Sequence, residues 1–171
     1  MTYINNKYKF HKILNINLLN NPIKPCIPTA WKLILTSDGS FTQNLNSITD
    51  KLIHAKIQEQ YTLNHKIIRK VWLEDENNRK LTFAESLWYI NEYTRIYLDH
   101  KAPVGQVFLQ SGLDIYKDIE EIYCGHCLYL EYLFKSKDLI WGRKYKIYSN
   151  KRTLAIIREF FPSHLQNLIN K

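Results

Sequence analysis

The sequence is poor in the residues that staple, bend or anchor a chain. Three cysteines in 171 residues are few and odd in number, which argues against a secreted disulfide scaffold and makes a reducing compartment the default. Glycine and proline number five each, too few for collagen-like or most disordered chains. No run of about eighteen apolar residues occurs, so no membrane-spanning helix is expected. The stretch Met1 to Lys7 has neither the apolar core of a signal peptide nor the Arg/Ser richness of a transit peptide. A Gly-rich phosphate loop and a Gly-x-Ser-x-Gly elbow are both missing.

What is present has the balance of a soluble globular protein: 45% hydrophobic and 23% charged residues in 20.5 kDa. That size fits one domain over residues 1–171, with 1–28 less certain as an N-terminal extension. The net charge of +8 attracts anions, but the lysines are scattered, and the longest dense stretch is Arg143-Lys144-Tyr145-Lys146. Ile, Lys and Asn, at 21, 18 and 15 residues, make up about a third of the chain. This bias suggests AT-rich coding, so part of the charge is compositional. Twelve tyrosines could stack on bases, but without clustered cations or an RNA-binding signature no nucleic-acid partner is expected.

The element pattern is α+β. Apolar residues between Tyr8 and Asn20 suggest a short helix. After Pro22, Pro25 and Pro28, the segment Thr29–Leu35 reads as a second helix with Pro28 at its start. Strands are expected at Leu52–Tyr61, Lys66–Glu74 and Lys80–Ile90, the last two forming a hairpin around Asp75-Glu76-Asn77-Asn78. Thr94–His100 reads as helical. Ile115–Leu133 reads as β structure interrupted at Cys124-Gly125-His126-Cys127, and a final hairpin turns at Ser149-Asn150-Lys151. Strands joined by hairpins, with helices near the N-terminus, imply an antiparallel sheet.

Two charges break the alternation of apolar and polar faces. Arg69 shares a strand face with Ile67, Val71 and Leu73, and Glu159 shares one with Ala155, Ile157 and Phe161. A charge on an apolar face costs several kcal/mol unless it is paired or meets a ligand. Either the two form a buried ion pair, or they face a cavity in which Arg69 receives an anion and Glu159 serves as acid/base or hydrogen-bonding group. Alternation leaves both open.

Cys124-Gly125-His126-Cys127 has the spacing of a disulfide-isomerase redox pair. Its flanks read as strands rather than as a strand leading into a helix, so we take it as a turn in which Gly125 supplies the bend. A zinc site would need two more ligands at suitable spacing, and none is evident, so no metal is expected. The other five histidines are dispersed.

Several segments in this order resemble the chorismate pyruvate-lyase family, which makes 4-hydroxybenzoate from chorismate. Leu139-Ile140-Trp141-Gly142-Arg143-Lys144-Tyr145-Lys146-Ile147, a turn, and Leu154 through Glu159-Phe160-Phe161-Pro162 resemble the family's closing hairpin. Ala102-Pro103-Val104-Gly105 resembles its Pro-Leu-Gly turn, and Ile67-Ile68-Arg69-Lys70-Val71 its ligand-binding arginine. Asp38-Gly39-Ser40-Phe41-Thr42 is similar to its Ser-Met-Thr segment, with Phe41 where a methionine lines the site. The resemblance runs from Thr29 to Pro162 and implies a single antiparallel sheet of about six strands flanked by helices, over a buried ligand. It implies that Arg69 and the backbone N–H of Val104, next to Gly105, hold the ring carboxylate, and that Glu159 faces the ring hydroxyl. It also implies a small-molecule substrate, no cofactor and, with the Asn/Ile/Lys bias, a plastid-encoded relative in the stroma, otherwise a cytoplasmic protein. The family's bacterial members carry a second arginine in the returning strand of the first hairpin. With one extra residue allowed in the turn, Glu85 takes that place, where it would repel a second substrate carboxylate. Arg143 and Lys144 are then the candidate replacement cations. A non-catalytic aromatic-acid binding module on the same fold is the alternative function.

Overall fold

The structure, a computed structural model, describes residues 9–17, 27–90 and 114–169. Short turns set its sheet. Strands β2 (His54–Leu63) and β3 (Lys66–Glu74) are joined by Asn64 and His65, with φ of 48° and 58°. Strands β6 (Ile140–Ser149) and β7 (Arg152–Pro162) are joined by Asn150 and Lys151, with φ of 48° and 62°. Two left-handed residues in a two-residue loop give the turn twist that matches a twisted antiparallel pair. Between β3 and β4 (Lys80–Tyr89) the turn is longer. There Asp75 Oδ1 accepts the N–H groups of Asn77 at 3.0 Å and Arg79 at 2.9 Å.

With β1 (His11–Asn17) and β5 (Tyr116–His126), these strands form one seven-stranded sheet in the order β1-β5-β6-β7-β4-β3-β2. Every neighbouring pair is antiparallel. Helices α1 (Thr29–Thr36) and α2 (Phe41–Thr49) cover one face, and α3 (Leu128–Phe134) packs on the other. The fold is therefore α+β, with one more strand than the six expected. No helix among the described residues is long and apolar enough to cross a membrane.

Helix α1 follows Pro28, which stands at its N-cap rather than in its first turn, and buries Trp31, Ile34 and Leu35 at helical spacing. Trp31 stacks on Trp141 of β6 at 5.3 Å, and Phe41 of α2 meets Phe161 of β7 at 4.9 Å. The main core lies on this face. On the other, Phe134 of α3 meets Trp72 edge-on at 5.4 Å.

Two expected elements differ. The stretch expected to be a helix between Tyr8 and Asn20 holds strand β1. Leu14 and Ile16 alternate inward, and the strand pairs with the edge of β5, whose backbone groups would otherwise lack partners. Leu128–Leu133, expected to be a strand, lies in helix α3. Leu130 and Phe134 are buried one turn apart, and Glu131 Oε1 folds back to accept the Cys127 N–H at 3.1 Å, satisfying an orphan donor of the first turn. Gly125 is therefore not a turn residue. It lies within β5, where a Cβ would stand 2.0 Å from the His11 carbonyl oxygen, so its role is close approach to β1. Thr94–His100 and the Pro103-Val104-Gly105 break lie outside the described residues.

Candidate functional site

The sheet face under α1 and α2 carries a cavity of about 590 Å³. Two cross-strand rows build its floor. One runs Arg69 (β3), Ser86 (β4), Ile157 (β7), Tyr145 (β6), Ile119 (β5). The next runs Val71, Ala84, Glu159 and continues beyond the cavity lining to Arg143 and Ile122. Asp38 to Thr42, the α1–α2 connection and the first residues of α2, form one wall.

Arg69 projects into this space as alternation requires. Its residue is 1% exposed, and Nε, Nη1 and Nη2 are all buried without a hydrogen-bond partner among the described residues. Burial lowers its pKa, but a guanidinium stays charged at any physiological pH. The surroundings hold its backbone firmly. Ser86 Oγ donates to the Arg69 carbonyl at 3.3 Å and accepts from Trp88 Nε1 at 2.8 Å.

Glu159 does not pair with Arg69. Strand β4 lies between them and they are two residues out of register, which puts roughly 12 Å of sheet between them. Instead Glu159 Oε2 accepts from Arg143 Nε at 2.6 Å, and Oε1 accepts from the Tyr145 hydroxyl at 3.0 Å. Burial, then the charge of Glu159, pushes the Tyr145 phenol well above its ordinary pKa, so it remains a donor. Glu159 keeps one edge on the cavity.

Arg143 is fully enclosed. Its Nη1 donates to the carbonyls of Ile34 (3.0 Å), Leu35 (3.3 Å) and Ser37 (3.1 Å), the orphan acceptors at the end of α1. Phe41, Tyr145 and Phe161 pack around the guanidinium with ring centroids 5.3–5.8 Å away. Arg143 thus fastens helix α1 to Glu159. Phe41 lines the cavity, as expected.

Lys144 and Glu85 stand on the opposite face. Lys144 pairs with Glu120 at 2.9 Å and Glu121 at 3.3 Å. Glu85 belongs to a cross-strand row of charges, Glu59, Lys70, Glu85, Arg158, Lys144, Glu121, that traverses six strands. Burial raises the Glu85 pKa, partly offset by Arg158 and Lys70. The expectation that Glu85 opposes a bound carboxylate is therefore corrected. One residue of register moves a side chain to the other face, and the positions that reach the cavity are Ala84 and Ser86. Val104 and Gly105 lie outside the described residues.

Lys117 of β5 was missed from sequence. It lines the cavity, and its Nζ donates to the carbonyls of Ser37 at 3.2 Å and Gly39 at 3.1 Å. A bulge between Ile119 and Glu121 shifts the phase of β5, so simple alternation along that strand does not show which residues turn inward. Cys124 and Cys127 pack in different clusters on opposite faces, and burial raises the Cys127 pKa. That geometry does not suit a dithiol pair.

A buried guanidinium without a partner among the described residues, in a half-open, mainly apolar cavity over an antiparallel sheet, makes this the candidate small-ligand site. The family described as Chorismate pyruvate-lyase Rv2949c-like matches residues 35–169, and the chain belongs to that family. It is similar to the uncharacterized protein ycf21 of Antithamnion sp., 42% identical over 168 residues and 94% of each chain. It is also similar to that of Porphyra purpurea, 38% identical over 148 residues, 82% of this chain and 85% of the relative. These are plastid-encoded relatives of the kind the resemblance implied. Gene product SA0254 of Staphylococcus aureus shares the fold, with a TM-score of 0.54 at 9% identity, covering 75% of this chain and 90% of that one.

Proposed function

We propose that the protein is a chorismate lyase, which eliminates pyruvate from chorismate to give 4-hydroxybenzoate, and that it works in the plastid stroma. The observation that carries this reading is Arg69, a buried guanidinium with no partner among the described residues, aimed into a cavity large enough for a small aromatic acid. Left empty, such a charge costs several kcal/mol, and a ligand carboxylate offsets that cost in two-point geometry.

In the reaction the C4–H proton of chorismate leaves and its electron pair forms the C3–C4 π bond. The C3–O bond breaks, and the departing enolpyruvate takes up a proton at its methylene carbon to become pyruvate. The ring becomes aromatic, so no strong nucleophile is required. The protein fixes the conformer and excludes water. In this reading Arg69, with the N–H of Val104, holds the ring carboxylate. Glu159, oriented by Arg143 and Tyr145, accepts a hydrogen bond from the ring hydroxyl, and Phe41 and Trp88 confine the ring.

The test is to mix purified protein with chorismate and follow 4-hydroxybenzoate and pyruvate together. Equal amounts of both, formed above the uncatalysed rate, support a lyase. No product, with 4-hydroxybenzoate still raising the melting temperature, supports the non-catalytic binder instead.

A further inference from the structure

Chorismate carries two carboxylates, and Arg69 can receive only one. Among the described residues the cavity wall holds two cations, Arg69 and Lys117. The other candidates are committed elsewhere. Arg143 bonds to Glu159 and three carbonyls and, although its Nη2 has no partner among the described residues, does not line the cavity, and Lys144 and Arg158 lie on the far face of the sheet.

We propose that Lys117 is the receptor for the second carboxylate of the substrate, the one on the enolpyruvyl group; this rests on the lyase reading above. Strand β5 is four strands from β3, but the Lys117 side chain reaches over the neighbouring strand β6. Its Nζ sits 4.9 Å from the centre of the Tyr145 ring, which lies in Arg69's own cross-strand row. Two of its three protons go to the carbonyls of Ser37 and Gly39. Those bonds fix the ammonium at the wall and leave one proton for a ligand. The two receptors therefore approach a bound dianion from opposite ends, with the apolar floor and Glu159 between them. Asp38 lines the same wall, so the ammonium is partly neutralised when the cavity is empty. Fixing the enolpyruvyl arm is what elimination needs, because that arm departs.

The test compares a monoanion, 4-hydroxybenzoate, with a stable dianion of similar shape, 3-(carboxymethoxy)-4-hydroxybenzoate, by titration calorimetry. The proteins are the unaltered chain, Lys117→Met and Lys117→Arg. The expected result is at least a tenfold loss of dianion affinity in Lys117→Met, less than threefold change for the monoanion, and recovery of most dianion affinity in Lys117→Arg. Equal loss for both acids in Lys117→Met would overturn the proposal and leave Lys117 as a clasp for the Ser37–Gly39 segment. Failure of the unaltered protein to bind the dianion while it binds 4-hydroxybenzoate would also overturn it, with the aromatic-acid reading intact. Binding of neither acid by the unaltered protein would overturn both.

Discussion

Arg143 Nε and Glu159 Oε2 meet at 2.6 Å under the cavity floor, and the same guanidinium gathers three carbonyls at the end of helix α1. One residue thereby links β6, β7 and the end of helix α1, just before the Asp38–Thr42 wall of the cavity. Arg143→Met removes this link and leaves a buried carboxylate without its cation, which costs about 3–5 kcal/mol. Glu159→Gln keeps the shape and a bond to Tyr145 and costs less, about 1–3 kcal/mol. Urea unfolding of both variants checks the order; an equal or reversed order would mean that Arg143 does not hold the helix.

Gly142 lies where the Tyr123 ring crosses β6. A Cβ there would stand 2.3 Å from a Tyr123 ring carbon and 2.9 Å from the Glu159 carbonyl oxygen. Gly142→Ala therefore overpacks the sheet and is expected to lower stability by about 1–3 kcal/mol. At Gly39 the nearest atom to a new Cβ is 4.0 Å away, and Gly39→Ala is expected to stay within about 0.5 kcal/mol of the unaltered protein. Denaturant midpoints of the two variants make the comparison.

Burial, reinforced by the Arg143 charge, lowers the Lys117 pKa to about 8, although Glu159 and Asp38 favour its charged form. Unfolded, the group titrates near the ordinary lysine value of about 10.4. Between these values the unfolded chain binds a proton that the native state has shed, so the contribution of Lys117 to stability rises with pH across that window. The stability difference between the unaltered protein and Lys117→Met, measured from pH 7 to 10.5, is expected to shift in favour of the unaltered protein above about pH 8. A pH-independent difference would contradict the shifted pKa.

Much of the site was legible because strands have a period of two. Ile67, Arg69, Val71 and Leu73 do share the cavity face, and so do Ile157 and Glu159. Alternation names a face but not a distance, so it could not decide between an Arg69–Glu159 ion pair and a cavity. The intervening β4 decided it. Phase arguments also fail where a strand is irregular. The register of the β3–β4 hairpin placed Glu85 on the far face, and the β5 bulge concealed Lys117. Short apolar runs were the other source of error. The run at Leu128–Phe134 carries β-favouring tyrosines, yet its buried pair and Glu131 cap make a helix. The run around Leu14 and Ile16 became a strand because β5 offered it an edge.

Whether Arg69 is a receptor or a structural cation is tested most directly by one paired measurement on Arg69→Met. Melting temperature and 4-hydroxybenzoate affinity are read on the same preparation. Replacing an unpaired buried charge by an apolar side chain of similar length should leave the empty protein at least as stable, by up to about 4 kcal/mol. The same change should weaken 4-hydroxybenzoate binding by at least tenfold, the scale of a lost charged hydrogen bond. A folded Arg69→Met protein that binds 4-hydroxybenzoate as tightly as the unaltered chain would contradict the account.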